Sequence, residues 1–358
     1  MMTMTLSEED LNEMHVEMAK INFEELSLVR PGNPKAKLNQ TLKDAEIRSA
    51  LKAANEPITS KFKAPKRLDI KAMLNTQPEP FDFVLPALVA GTVGLILSPG
   101  GVGKSYFMLI AAISIAVGVD FLGLGKLKMG RVVIVAAEDP ALAIHHRIKA
   151  IQEHLCLSEE QSDLLDANLH IYPTIGFDID VMDRDCLQWL KDISAGARLV
   201  VLDTLTRVHS IDENKASDAK SVMFAFEKLA CGGPAVVLPH HISKSATTNE
   251  STDNAQAARG SSVWPDNSRW SSFISVMSKT EAKALNIDEG KRTKYLKWNV
   301  SKQSYAAPMP DLWLERMKGG VLLPAGFATA ARDKITEQVS VNYIKQSQSA
   351  KVSPDEDF

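Results

Sequence analysis

Residues 95–105 read Leu95-Ile96-Leu97-Ser98-Pro99-Gly100-Gly101-Val102-Gly103-Lys104-Ser105, an aliphatic run that breaks into glycines and closes on a lysine and a hydroxyl. The aliphatic run predicts a buried strand. Gly100, Gly101 and Gly103 let successive backbone N–H groups, that of Val102 included, turn toward one anion. The apolar segment Tyr106–Val117 predicts a helix whose N-terminus adds its dipole to the same point. This is the outline of a phosphate-binding loop. Lys104 reaches the β- and γ-phosphates of a nucleoside triphosphate, and the Ser105 hydroxyl sits on Mg²⁺. Ser98 stands where the usual pattern opens with glycine, but the phosphate and metal contacts fall in Gly103-Lys104-Ser105.

From Val93 to about Leu323 strand-like and helix-like segments alternate, which predicts an α/β fold with a mostly parallel sheet flanked by helices. The candidate strands are Gly94–Leu97, Arg131–Ala136, Leu169–Tyr172, Leu199–Leu202, Ala235–Leu238 and Ser271–Met277. Most are near-continuous aliphatic runs, as strands buried on both faces require. Tyr295–Val300 and Gly320–Leu323 read as a terminal antiparallel pair. The chain divides into an arm at 1–66, a core at 67–325 and a polar tail at 326–358. The arm begins acidic, turns basic from Lys35 onward, is punctuated by Pro31, Pro34, Pro57 and Pro65, and offers one short amphipathic helix around Met14–Leu26.

Composition excludes several classes. With 358 residues, 45% of them apolar and 24% charged, the chain reads as a globular protein. A net charge of −3 gives no global attraction to nucleic acid, so any such contact comes from a local patch. Cys156, Cys186 and Cys231 are scattered, without metal or redox spacing. The first residues lack the basic start of a signal peptide, and the apolar stretch Tyr106–Val119 is too short to span a bilayer. These features predict a cytoplasmic protein without membrane contact.

In an open parallel sheet the ligand sits at the carboxyl ends of the strands. Arg131–Ala136 ends in Ala137-Glu138-Asp139, Leu199–Leu202 in Asp203-Thr204, and Ala235–Leu238 in Pro239-His240-His241. All three ends should converge beside Lys104. Asp203 after Leu-Val-Val-Leu has the form of a Walker B aspartate, a metal ligand alongside Ser105. Glu138 suits the polarising of an attacking water, with Asp139 capping the helix that follows Pro140. His241 or His240 comes within reach of the γ-phosphate. Residues 243–258 form a polar loop containing Lys244, either plainly disordered or in contact with a ligand. Arg259 and Arg269 are both candidates for an arginine that crosses a subunit boundary.

Several blocks in order resemble the RepA-type hexameric replicative DNA helicases of broad-host-range plasmids, among the RecA-like, DnaB-related ATPases. They include Phe83-Val84-Leu85-Pro86, Ser98-Pro99-Gly100-Gly101, Ala137-Glu138-Asp139-Pro140, Val201-Leu202-Asp203-Thr204-Leu205, His240-His241 with Ser243-Lys244, Arg259-Gly260-Ser261-Ser262 and Asp266-Asn267 with Arg269-Trp270. The resemblance implies a RecA-like P-loop core, ATP with Mg²⁺ at subunit interfaces, and a six-membered ring moving on single-stranded DNA. It makes Glu138 the water activator, His241 the γ-phosphate sensor and Arg269, rather than Arg259, the arginine finger. It also implies that loop 243–258 faces DNA. The arm has no counterpart there and could meet a neighbouring subunit, a primase, or DNA through its basic half; primase or replication-initiator contacts are the partners expected of the protein beside DNA. The acidic, Phe-terminated tail reads as solvated, with a partner-recruiting tip as the alternative. A DNA-binding ATPase without unwinding, and an ATP-switched assembly adaptor, are the competing functions.

Overall fold

The structure, a computed structural model, describes residues 65–212, 215–242 and 263–327. The described residues fall into two units, divided between Pro78 and Glu79. In the first, the described residues hold helix α1 (Ile70–Leu74), capped by the Asp69 carboxylate, which accepts from the Ala72 N–H. The expected helix near Met14, the loop 243–258 with Lys244, Arg259, and all but the first two residues of the tail lie outside the described residues.

The second unit opens with a small hairpin, β1 (Phe83–Leu85) and β2 (Leu88–Val89). Then come β3 (Val93–Ser98), α2 (Lys104–Val117), β4 (Val132–Ala136), α3 (Ala141–Leu155), α4 (Glu159–Asn168), β5 (Leu169–Pro173), α5 (Arg184–Ser194) and β6 (Leu199–Asp203). After them follow α6 (Ala216–Ala230), β7 (Ala235–His241), α7 (Val263–Asn267), β8 (Trp270–Val276), α8 (Lys279–Ala284), β9 (Tyr295–Gln303), β10 (Leu312–Arg316) and β11 (Leu322–Pro324). The main sheet has the order β11-β10-β9-β8-β3-β7-β6-β4-β5. Strands β8, β3, β7, β6, β4 and β5 are parallel; β9, β10 and β11 add antiparallel to one side. This is the expected fold class.

Strand periodicity sorts the aliphatic runs between two cores. Ile96, Val132, Ile134, Leu199, Val201 and Val237 face α2, where Phe107, Ile110, Ala111 and Ile113 are buried. Leu95, Leu97, Val133, Val135, Val200, Leu202, Val236 and Leu238 face Val222, Phe226 and Leu229 of α6. Each such side chain contributes roughly 1.5–3 kcal/mol by leaving water, and a one-residue slip would misplace them all. The sheet therefore holds its strand ends in fixed register, which the site exploits.

Three expectations are corrected. Tyr295–Val300 and Gly320–Leu323 do not pair with each other: Leu312–Arg316 lies between their strands and pairs with both. Its alternation of buried Leu312 and Leu314 is short and hidden behind Pro308 and Pro310. The strand beginning at Ala235 runs through Pro239 to His241. The Ala235 N–H points at Arg198 and the Val236 N–H at Thr92, so Pro239 lacks its donor on the β6 side, where pairing has already ended at Val237. Finally, Asp139 is not the cap of α3: Pro140 occupies that position without a side-chain bond, and Asp139 instead grips Arg147 through both carboxylate oxygens.

Candidate active site

The loop between β3 and α2 takes its shape from its glycines. Gly101 and Gly103 have φ of 76° and 118°, a region costly for any residue with a Cβ. Gly103 caps α2 without a side-chain bond, so the first N–H groups of the helix remain available to an anion. Lys104 follows at once and is 5% exposed. Its ammonium donates to Ser98 Oγ at 3.0 Å and to His241 Nδ1 at 2.9 Å. Ser98 in turn donates to the Pro99 carbonyl. The serine that departs from the usual loop pattern is thus a resting partner for the lysine. Burial holds Lys104 down at about 8, against the opposing pull of Asp203 and Glu138.

The neighbouring strand ends bring the other candidates in. The Ala137 N–H donates to the Asp203 carbonyl and ties the end of β4 to that of β6. Glu138 Oε1 accepts from the Thr204 hydroxyl at 3.1 Å, and its other oxygen lies 3.7 Å from His241 Nε2. Thr204 is 1% exposed; with its proton given to Glu138 it accepts from Thr206 at 3.0 Å. Arg207 Nε stands 4.0 Å from Glu138. His241, lowered from its ordinary value by burial and then by Lys104, is neutral, so Nδ1 accepts from the lysine and Nε2–H faces Glu138. Lys104, Glu138, Asp203 and His241 therefore converge as expected, and His241 is the histidine of the pair in contact with Lys104.

Asp203 supplies a test of metal binding. Burial, reinforced by Glu138, pushes its carboxyl up to about 6, opposed by Lys104 and by a hydrogen bond from Ser105. Its Oδ1 is shielded from solvent and has no hydrogen-bond partner among the described residues. A shielded, under-compensated carboxylate oxygen beside a hydroxyl fits a hard divalent cation with oxygen ligands. Ser105 and Asp203 are the residues that would hold it.

Arg269 is elsewhere. It immediately precedes β8, whose Trp270 is level with Gly94, so it lies at the opposite end of the sheet from the phosphate loop. It is exposed. At about 3.3 Å per residue, the strand length between Gly94 and Ser98 alone separates the two levels by roughly 13 Å. Sequence reading also missed three residues. Thr204 was signalled by the hydroxyls that alternate after Asp203. Arg147, eight positions beyond Asp139, was not readable as its partner. Arg316, whose Nη2 donates to the Val102 carbonyl at 2.6 Å, gave no local signal at all.

The sequence pattern of the AAA domain family (AAA_25) matches residues 58–247, more than half of the chain and all of the converging strand ends. The chain belongs to the AAA domain family. Solved structures similar to this AAA domain protein include an ATPase domain, with a TM-score of 0.46 and 15% identity over 66% of this chain and 85% of that one. Another is the RadB recombinase, at 0.42 and 12% over 70% and 94%. The matched residues include the glycine-rich loop with Lys104 and Ser105, together with Glu138, Asp203 and His241. No helix among its described residues is long and apolar enough to cross a membrane.

Proposed function

We propose that the protein is an ATP-dependent hexameric DNA helicase of plasmid- or phage-type replication, coupling ATP hydrolysis to translocation on single-stranded DNA. The observation that carries this reading is the split site. Lys104, Glu138, Asp203 and His241 gather at one end of the sheet, while Arg269 stands exposed at the other. An arginine so placed can complete a site only on a second copy that packs head to tail, and a head-to-tail contact that closes makes a ring.

The residues divide the work. The helix N-terminus and the loop N–H groups hold the phosphates, and Lys104 exchanges Ser98 and His241 for β- and γ-phosphate oxygens. Mg²⁺, held by Ser105 and Asp203, would supply charge neutralisation between the phosphates. Glu138 orients a water and accepts its proton as the water oxygen bonds in line to the γ-phosphorus, while the bond from that phosphorus to the β–γ bridging oxygen breaks and ADP leaves. His241, released by Lys104, senses the γ-phosphate and stands at the start of the segment read as DNA-contacting. Arg269 of a neighbour stabilises charge in the transition state. The arm at 1–66 is read as a contact for a neighbouring subunit, a primase or DNA, the 67–325 core as the motor, and 326–358 as the tail; primase or replication-initiator contacts complete the partners.

The test is ATPase rate with and without single-stranded DNA, run beside forked-duplex unwinding on the same preparation. DNA-stimulated hydrolysis with strand separation is expected, and Glu138→Gln should abolish both while leaving nucleotide binding intact. Stimulation without unwinding would replace the helicase by a DNA-binding ATPase, and no response to DNA would leave an ATP-switched assembly adaptor.

A further inference from the structure

The family match ends at residue 247, yet the phosphate loop is held from outside by strands far beyond it. Arg316, the last residue of β10, reaches 214 positions back along the chain to donate to the Val102 carbonyl. In a loop that turns its N–H groups toward an anion the carbonyls face the other way, so the Val102 carbonyl can be gripped without loss of a phosphate donor. The same hairpin makes a second contact. Tyr106, one turn into α2, donates its hydroxyl to the Gly319 carbonyl. Gly320, at φ 88°, lies so close under the ring that a Cβ there would stand 2.8 Å from Tyr106 Cε2. Arg147, already bound to Asp139 beside Glu138, lies over the ring, 5.6 Å from its centroid. Between these two points the loop's last glycine abuts the hairpin and the adjoining β9: a Cβ on Gly103 would meet Leu322 and Arg316 of the hairpin and Leu296 of β9 at 3.5–3.9 Å.

We infer that the hairpin of β10 and β11 is a clamp that presets the phosphate loop for nucleotide, with Arg316 as its principal positioning residue and Tyr106 on the Gly319-Gly320 turn as its second point. The inference rests on the loop's reading as a triphosphate site and on nothing further in the helicase reading. The loop is glycine-rich, so its unliganded form carries a large conformational entropy unless something outside holds it. A charged donor on a loop carbonyl removes that freedom before binding, and the gain appears in nucleotide affinity rather than in the chemical step.

The experiment measures binding of MgATPγS and steady-state hydrolysis of MgATP by the full chain and four variants. Arg316→Ala should raise both the Kd and the KM by about 10- to 100-fold, the range of a lost charge-assisted hydrogen bond. Its kcat at saturation should stay within about twofold. Arg316→Lys, which can still donate to the carbonyl, should recover most of the affinity, and Tyr106→Phe should lose a smaller part. Lys297→Ala removes a cation of the same sheet that pairs with Glu281 and Asp311 and does not touch the loop, so it should lower stability without moving Kd. Unchanged affinity in Arg316→Ala overturns the inference, as does a loss confined to kcat or a lysine variant no better than alanine. If Arg316→Ala does not fold, the lysine and Tyr106→Phe variants decide between the same outcomes. A wild-type protein that binds no MgATPγS sinks the triphosphate reading itself, and this inference with it.

Discussion

Lys104 should take up a proton when nucleotide binds. It is 5% exposed, and its neighbours in the free protein are a serine hydroxyl and a neutral imidazole. Its ammonium is therefore under-compensated, and its pKa falls from 10.5 to about 8. That depression corresponds to roughly 3 kcal/mol of penalty on the charged form. The sign for folding follows: a lysine lowered in the folded state costs stability fully below pH 8, and the cost fades as pH rises from 8 toward 10.5. Phosphate oxygens against the ammonium reverse the balance and restore a high pKa. At pH 8 about half of the free protein carries neutral Lys104, so binding takes up about half a proton, rising to about nine-tenths at pH 9. Affinity should then fall about fivefold between pH 8 and pH 9. The nucleotide's own last phosphate proton is gone by then, with a pKa near 6, and His241 is already neutral. Titration calorimetry at pH 8.5 in buffers of different ionisation enthalpy reads the proton directly. Binding enthalpies identical in all buffers would refute the reasoning, because Lys104 would then be fully charged before nucleotide arrives.

Three further perturbations test other parts of the molecule. If Arg269 acts across a subunit boundary, Arg269→Ala and Lys104→Ala proteins are each inactive, yet an equal mixture assembles intact sites at about one interface in four; an ATPase rate no higher than either parent would place the arginine outside the reaction. Gly94→Ala drives a Cβ to 2.5 Å from Trp270 Cε3 and 3.0 Å from Leu88 Cδ1. Overpacking at a buried indole that also donates to the Pro86 carbonyl should cost about 1–3 kcal/mol, read as a lower urea midpoint at unchanged m-value. Asp82 accepts from both terminal nitrogens of Arg198 at 2.8 and 2.7 Å, and this pairing holds its carboxyl below the ordinary 3.8. The depressed acid contributes stability above pH 3.8 that is lost as pH falls through its folded value. The carboxylate is 46% exposed, which limits the contribution to about 1 kcal/mol or less. Asp82→Asn should show that deficit at pH 7 and lose it as acidification below 3.8 carries the wild-type carboxyl through its folded value; a deficit that does not shrink on acidification would point to packing instead of charge.

Much of this architecture was legible because strands buried on both faces leave an unambiguous trace. Runs such as Val132–Ala136 and Leu199–Leu202 can face two cores only as strands of a covered sheet, and the polar residue that ends each run is placed by the sheet itself. The hairpin strand Leu312–Arg316 escaped because five residues preceded by Pro308 and Pro310 carry too short a pattern to be told from a loop. Asp139 looked like a helix cap because local chemistry favours one before proline. A guanidinium two turns along α3 offered it two charge-assisted hydrogen bonds, and that stronger partner prevailed.

The phosphate loop, the identity of the residues at the ends of β4, β6 and β7, and hence the kind of chemistry they can perform, are set by short stretches of sequence. These are local facts: backbone freedom at glycine, burial of aliphatic runs, and the functional group that follows each run. Which partners those groups have is fixed by the folded arrangement. It set Ser98 and His241 against Lys104, Thr204 against Glu138, and Arg316 against the loop, and it put Arg269 at the far end of the sheet. Hydrogen bonds and ion pairs act over about 3–4 Å, whereas the residues that make them here are separated by as many as 214 positions. Only sheet register and helix packing bring them into that range.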